Sequence, residues 1–558
     1  MRNLTLALLL PVAAAAALSQ SPQPRGTYDP GIRPVTAESV VAEKAAEDAW
    51  FAHLQVLASD DLKGRRTGTE DFLRAVEYVE GQFKAIGLKP AGTEGYRQAV
   101  GFRSLVTDDP GSSFVLKQSD GSQRELKVGA EVTLSPHIDG AGSVEAPAVF
   151  AGYGFAVPEL GFDDIKGIDL RGKIAVVLAG APSSVHGPLK AYFRTAAERW
   201  KALHAAGAIG VITISEPPRP ATGVAGARAV SAQRSALAAR PQVILADPGV
   251  DPLRGLQLGA TVTPENAAAL FAGSPHTVED LEALARDGKD LPRFPLSTTI
   301  QAKTSVHETE HYQSPNVVGL LEGSDRQLRK EYVILSAHLD HLGVGRPVDG
   351  DTIYNGAMDN ASGIASLIET AKALAGWPRP KRSIVFLALT GEEEGELGSQ
   401  YFARYPTVPR GQIIADLNMD MYLPLFPLHF LEVQGLGEST LGNDVRAAAQ
   451  LNDIEVQFDK QPDENRFVRS DQASFVKYGI PGLAFKFGWL PDSPEQKIFN
   501  DWIKTRYHHP NDDLQQPISK EGAVHFDHVL LTLVRRVADS PSRPSWYPES
   551  FFSTIPRS

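Results

Sequence analysis

From residue 332 onward the chain alternates short, unbroken apolar runs with amphipathic stretches. "YVILSAH" (332–338), "RSIVFLALT" (382–390), "GQIIADLNM" (411–419) and "GIPGLAFKFG" (479–488) are apolar with little alternation. Runs of this kind predict strands covered on both faces, as in the centre of a largely parallel sheet. Between the first two, "GIASLIETAKALAG" sets Ile364, Leu367, Ile368, Ala371 and Leu374 on one face of a helix. Strands alternating with helices predict an α/β class.

Upstream, residues 36–92 read as two helices. In the second, Phe72, Ala75, Val76, Val79, Phe83 and Ile86 recur at helical spacing, and Gly87 stops it. The "GRRTGTE" between them supplies a loop and a threonine cap. Both helices are expected to pack on the later sheet. From about 110 to 300 the texture changes to short β-rich runs broken by Gly and Pro, among them "SVEAPAVFAGYGF", "GKIAVVLAG", "AIGVITIS" and "PQVILAD". This predicts a compact β-rich module inserted into the α/β body. The expected division is 38–135 for the first part of the α/β domain, 136–305 for the insert, 306–540 for the main body and 541–558 for a tail.

At 558 residues, two domains or a domain with an insert is the default. A formal charge of −12 argues against a general nucleic-acid binder, since no basic excess is present to neutralise phosphates. Cysteine is absent, which removes disulfides, thiolate metal sites and a thiol nucleophile together. The start, "MRNLTLALLLPVAAAAALS", has an early Arg, an apolar stretch and small residues at its end. It predicts a signal peptide over 1–19, cleaved before Gln20, and so a secreted or periplasmic protein. The apolar stretch falls short of the roughly 20 residues that a spanning helix needs. No membrane span is expected, and oligomeric state is not readable.

Chemistry-bearing residues gather where the apolar runs end. "SAHLDHLG" puts His338 and Asp340 past the first strand, and "NGAMDNASG" puts Asp359 ahead of the helix. "GEEEGELGS" carries Glu392, Glu393 and Glu394, "LNMDM" carries Asp420, and "RYHHPNDD" brings His508 and His509. In open α/β sheets, ligands bind outside the carboxyl ends of strands, so these loops can converge on one crevice. Histidines and carboxylates without cysteine suit zinc. Two ions about 3.5–4 Å apart need at least one bridging carboxylate. The His-x-Asp spacing suggests that Asp340 orients the imidazole of His338. A lone buried histidine, a helix-capping Asp359 or a loop acid at 420 would each be unremarkable alone. Their coincidence at the strand ends of one segment favours a site.

In this order and together with "VRSDQASF", the motifs resemble the M28 zinc peptidases, the family of aminopeptidase Y and the bacterial leucyl aminopeptidases. The resemblance covers about 40–110 and 310–535 and implies a zinc-exopeptidase-type mixed, largely parallel sheet flanked by helices. It also implies two Zn2+ ions, with Asp359 bridging them, His338 and Asp420 completing one site, and Glu393 and His508 completing the other. Glu392 would be the general base toward a metal-bridging hydroxide, and Glu394 falls at a variable position. The bond Asp359–Asn360 is often cis in the family. Peptides or proteins would be substrates, and removal of N-terminal residues is the activity implied. A carboxypeptidase or dipeptidase of the same fold is the nearest alternative, ahead of a glutaminyl-cyclase-like transferase or a non-catalytic receptor. The β-rich insert resembles a protease-associated (PA) domain. Gln472 stands where members often have His, which leaves the metal set intact. Ser470 and Asp471 are candidate substrate contacts, while Trp489, Trp502 and the paired arginines of "GRRTGTE" read as structural.

Overall fold

The structure, a computed structural model, describes residues 37–140, 142–157, 160–185, 187–216, 241–461 and 466–555. The expected signal peptide and its cleavage point lie outside the described residues. The fold is mixed α/β, and among the described residues its strands form two large sheets, of ten and eight strands, with two small hairpins.

The four apolar runs are strands Tyr332–His338, Ser383–Leu389, Ile413–Asn418 and Gly482–Phe487, side by side in the ten-stranded sheet. Neighbours among them run parallel, with His338 level with Leu389. Every residue of the last three is buried, as two-face coverage requires. The flanks are antiparallel: Val306–Leu321 joins Ser383–Leu389 to Arg97–Thr107 on one side, and Phe430–Gln434 pairs with Gly482–Phe487 on the other. The sheet is therefore parallel at its centre, where the candidate residues lie, and antiparallel beside it, with one further parallel pair, Phe430–Gln434 with Glu455–Phe458, at the far edge. One face is covered by helices Ala37–Leu57, Glu70–Ile86, Ser362–Gly376 and Lys520–Asp539, whose Trp50, Phe83, Ile364 and Leu533 share one apolar core with Leu335 and Phe386. The two N-terminal helices thus pack on the sheet. Leu397–Arg404 and Gln472–Val476 cover the other face through Phe402 and Phe475.

The eight-stranded sheet has its own core, from Phe114 to Ala302. Two segments fall on the far side of the division expected from texture. Strands Ser113–Gln118, Gln123–Glu125 and Val132–Leu134, upstream of 136, belong to this second sheet, whereas Gln242–Leu245 pairs with Phe102–Leu105 at the edge of the first. The reason is physical: a four-residue apolar strand has the same composition whichever sheet edge it completes, and here Val243 and Leu245 pack with Val100 and Phe102. Among the described residues, no helix is long and apolar enough to cross a membrane.

Candidate metal centre

The site lies at the carboxyl ends of the central parallel strands. His338 closes its strand with its side chain fully buried. Its Nδ1 donates to the main-chain carbonyl of Asp340 at 3.1 Å, which leaves the Nε2 lone pair facing inward. The orienting group is thus the carbonyl of Asp340, not its carboxylate as the His-x-Asp spacing suggested. The carboxylate is occupied elsewhere: Oδ1 accepts the backbone N–H of Glu392 and Oδ2 that of Glu393, both at 3.2 Å, and Oδ2 also accepts the Thr67 hydroxyl at 2.9 Å. Asp340 lies two residues past the last strand residue, where the rule that i and i+2 share one face no longer holds, and its carboxylate reaches the neighbouring 392–393 turn.

Asp359 sits in the tight turn Ala357–Ala361 that leads into helix Ser362–Gly376, and the Asp359–Asn360 peptide bond is cis. Asp512, from the far end of the chain, accepts the backbone N–H groups of Met358 and Asp359 at 2.9 and 3.0 Å. The Asn360 amide donates to the Met419 carbonyl at 2.7 Å, tying this turn to the Asp420 loop. Arg65 is buried among carbonyls, donating to Leu339 at 3.0 Å, Asn355 at 2.6 Å, Gly356 at 3.0 Å and also to Leu57. Burial pulls its pKa down to about 10. The "GRRTGTE" loop is accordingly a brace, as expected, with carbonyls rather than carboxylates as Arg65's partners. Arg66 lies 3.6 Å from Glu394.

The donors meet in two groups. His338 Nε2 lies 3.2 Å from Asp359 Oδ1 and 3.3 Å from Asp420 Oδ1. His508 Nε2 lies 3.3 Å from Asp359 Oδ2 and 3.1 Å from Glu393 Oε2. With ligands about 2.1 Å from a tetrahedral zinc ion, two donors stand about 3.4 Å apart, so these four histidine-to-carboxylate distances suit zinc. Asp359 offers one oxygen to each. Tyr507 stacks on His508, whose φ of 54° turns it inward, while His509 Nδ1 accepts the Asn511 N–H at 3.2 Å.

Electrostatics point the same way. Burial raises the Glu392 carboxyl well above the usual range, and Asp420 and Glu393 add to the effect against the pull of His338. Burial acts likewise on Glu393 and is the largest single influence there, but His508 and His341 together outweigh it and bring that group to about 2. His508 itself rises to about 10 against its burial, chiefly through Glu393 and Asp359. A crowd of buried carboxylates among imidazoles is the charge pattern that divalent cations would satisfy.

Two other residues deserve placing. Ser470 Oγ accepts from the Asn418 amide at 2.9 Å, and Gln472 Oε1 does so at 2.7 Å, beneath the strand ends. Ser470 is therefore engaged at the carboxyl end of the interior strand Ile413–Asn418. Asp471 is fully buried, and that burial pushes its carboxyl up to about 8. Trp489 and Trp502 pack in the main core. The sequence reading passed over His341, whose Nδ1 lies 2.6 Å from Glu393 Oε1 and which clusters with Asp359 and Glu393 as a possible metal-holding set. The second histidine of "HLDH" was the available signal. It also passed over Asp512 and Thr67.

The family model described as Peptidase family M28 matches residues 316–534, which include every donor named above. A probable zinc metalloprotease of Pyrenophora teres f. teres is 37% identical over 105 residues, 19% of this chain and 22% of that protein. Carboxypeptidase Q of Xenopus laevis is 30% identical over 152 residues, 27% of this chain and 29% of that protein. The matched segments thus span under a third of these curated relatives. Among solved structures, an aminopeptidase from Aneurinibacillus sp. strain AM-1 is 20% identical with a TM-score of 0.48, covering 91% of this chain and 98% of its own. Residues 316–534 of the chain thus match the Peptidase family M28 model.

Proposed function

We propose that the protein is an exported zinc aminopeptidase that binds two zinc ions and removes N-terminal residues from peptides. The observation that carries this reading is the pair of donor triads sharing Asp359, with the Glu392 carboxyl beside them. His338, Asp420 and one oxygen of Asp359 would hold one ion. His508, Glu393 and the other oxygen would hold the second. Bound zinc supplies Lewis acidity, polarising a carbonyl and acidifying water. Glu392 takes the proton of the attacking water and hands it to the leaving amine, a role helped by a carboxyl whose proton affinity is raised by burial. Asp340 fixes the backbone of both glutamates, so base and ligand keep their separate places. The amino end is favoured by the acidic cluster of Glu392, Glu396, Asp420 and Asp471, whose mutual repulsion an incoming α-ammonium group would relieve. Export rests on the N-terminal apolar pattern. The second-sheet unit is a PA-like module that shapes access to the crevice.

The test is turnover of free-amine, N-blocked and C-terminal reporter peptides by wild type and Glu392→Ala, with zinc content measured alongside. Cleavage of free-amine substrates only, lost in the variant while zinc stays, is expected. Cleavage of N-blocked substrates from the C-terminus would instead support the carboxypeptidase reading that one relative's name suggests.

A further inference from the structure

We propose that His341 is the positioning residue for the ligand Glu393, acting as a hydrogen-bond donor and not as a metal ligand; this rests on the metal reading above. Its imidazole is fully buried, and Nδ1 lies 2.6 Å from Glu393 Oε1 but 4.0 Å from Asp359 Oδ2. Two ligands of one tetrahedral zinc ion stand about 3.4 Å apart, so the first distance is too short and the second too long for a shared ion. The first is a hydrogen bond, and the acceptor-only carboxylate requires the proton on Nδ1. Glu393 thereby uses its oxygens differently: Oε1 takes the His341 proton, and Oε2 faces His508 at 3.1 Å.

The ring is held for this purpose. Its edge meets the His508 ring at 5.9 Å between centroids. Its other nitrogen, Nε2, is shielded from solvent without a hydrogen-bond partner, so Nδ1 to Glu393 is the contact that fixes the ring. Gly356 passes directly beneath: a Cβ there would lie 2.5 Å from the His341 Cγ. Partners of this kind fix the orientation of ligating carboxylates, and their loss typically costs about 10–100-fold in metal affinity.

The experiment compares His341→Asn with His341→Gln in the full chain, loaded with zinc and dialysed against graded zinc buffers. The Asn amide nitrogen falls near the place of Nδ1, whereas the Gln amide reaches toward the place of Nε2. His341→Gln should weaken one of two zinc ions by about 10–100-fold and leave the other unchanged, while His341→Asn stays close to wild type. At saturating zinc, His341→Gln should regain its kcat with KM unaltered. Wild-type affinity for both ions in both variants overturns the proposal, as does an equal loss in both, which marks a ligand or packing role. A wild type that takes up no zinc sinks the metal reading itself, and the positioning role with it.

Discussion

Burial holds the Glu392 carboxyl well above the usual carboxylate range, while His508 and His341 together draw Glu393, one residue on, down to about 2 against its burial. Their neighbour Glu394 faces Arg66 at 3.6 Å instead of the donor triads. Three adjacent like charges therefore have three surroundings, set by a turn whose backbone Asp340 grips. Glu392→Gln should retain zinc and lower kcat by about 10²–10⁴-fold, the usual contribution of a general base. Glu394→Gln should leave kcat within the spread of wild-type preparations. A large loss in the second variant would show the base to be misassigned by one position, and zinc analysis separates it from loss of the metal. The strand-end acids were legible because an unbroken apolar run announces where it stops. Asp512 was not, because a residue 153 positions from its backbone partner Asp359 leaves no local pattern. His341 was visible in the motif but silent about its role, since hydrogen-bond geometry decides between ligand and positioner.

At the level of elements, the turn around Gly356 and the loop around Asp164 each store a constraint that can be tested. Gly356 has φ +63°, and an added Cβ would stand 2.2 Å from the Asp359 carbonyl oxygen. Gly356→Ala should cost more than about 1 kcal/mol of stability. It should also lower zinc content, because the turn that presents Asp359 must shift; a chelator titration beside thermal melting checks both. In the second sheet unit, Asp164 accepts the Tyr153 backbone N–H at 2.6 Å, and burial pushes its carboxyl from 3.8 to about 7. A raised carboxyl favours the protonated form in the fold. Its contribution is thus intact below about pH 4, is lost progressively up to about pH 7 and is level above that. Asp164→Asn keeps an acceptor for the N–H without the charge. Its melting temperature should exceed that of wild type at pH 8, and the difference should shrink as the pH is lowered toward 4. A pH-independent difference would count against this account. Element type was easier to read than membership: Gln242–Leu245 is a strand as its composition suggests, but which sheet it completes depends on Val100 and Phe102, more than a hundred residues earlier.

Across the whole molecule, the two sheets are joined by the chain end as well as by the strands that connect them. Phe551 meets Tyr192 and Phe193 of helix Gly187–Arg194 at 5.4 and 5.5 Å between ring centroids. Its neighbour Phe552, 1% exposed, meets Phe467 at 5.3 Å. Phe467 and Val468 stand one intervening residue before Ser470 and Asp471, so one apolar cluster links the second unit, the terminal turn and the segment that carries Ser470 and Asp471. The tail expected after 540 is therefore a fastening, a role invisible in a Pro- and Ser-rich stretch whose partners lie hundreds of residues away. Replacing a buried Phe by Ala typically costs about 3–5 kcal/mol. The donors themselves stand on a separate core, the one that holds Leu335 and Phe386. Phe552→Ala should accordingly speed limited proteolysis within 187–216 while zinc content stays at the wild-type level. Matching loss of zinc would mean that the terminal turn supports the metal centre directly, whereas unchanged proteolysis would mean that other contacts hold the second unit in place.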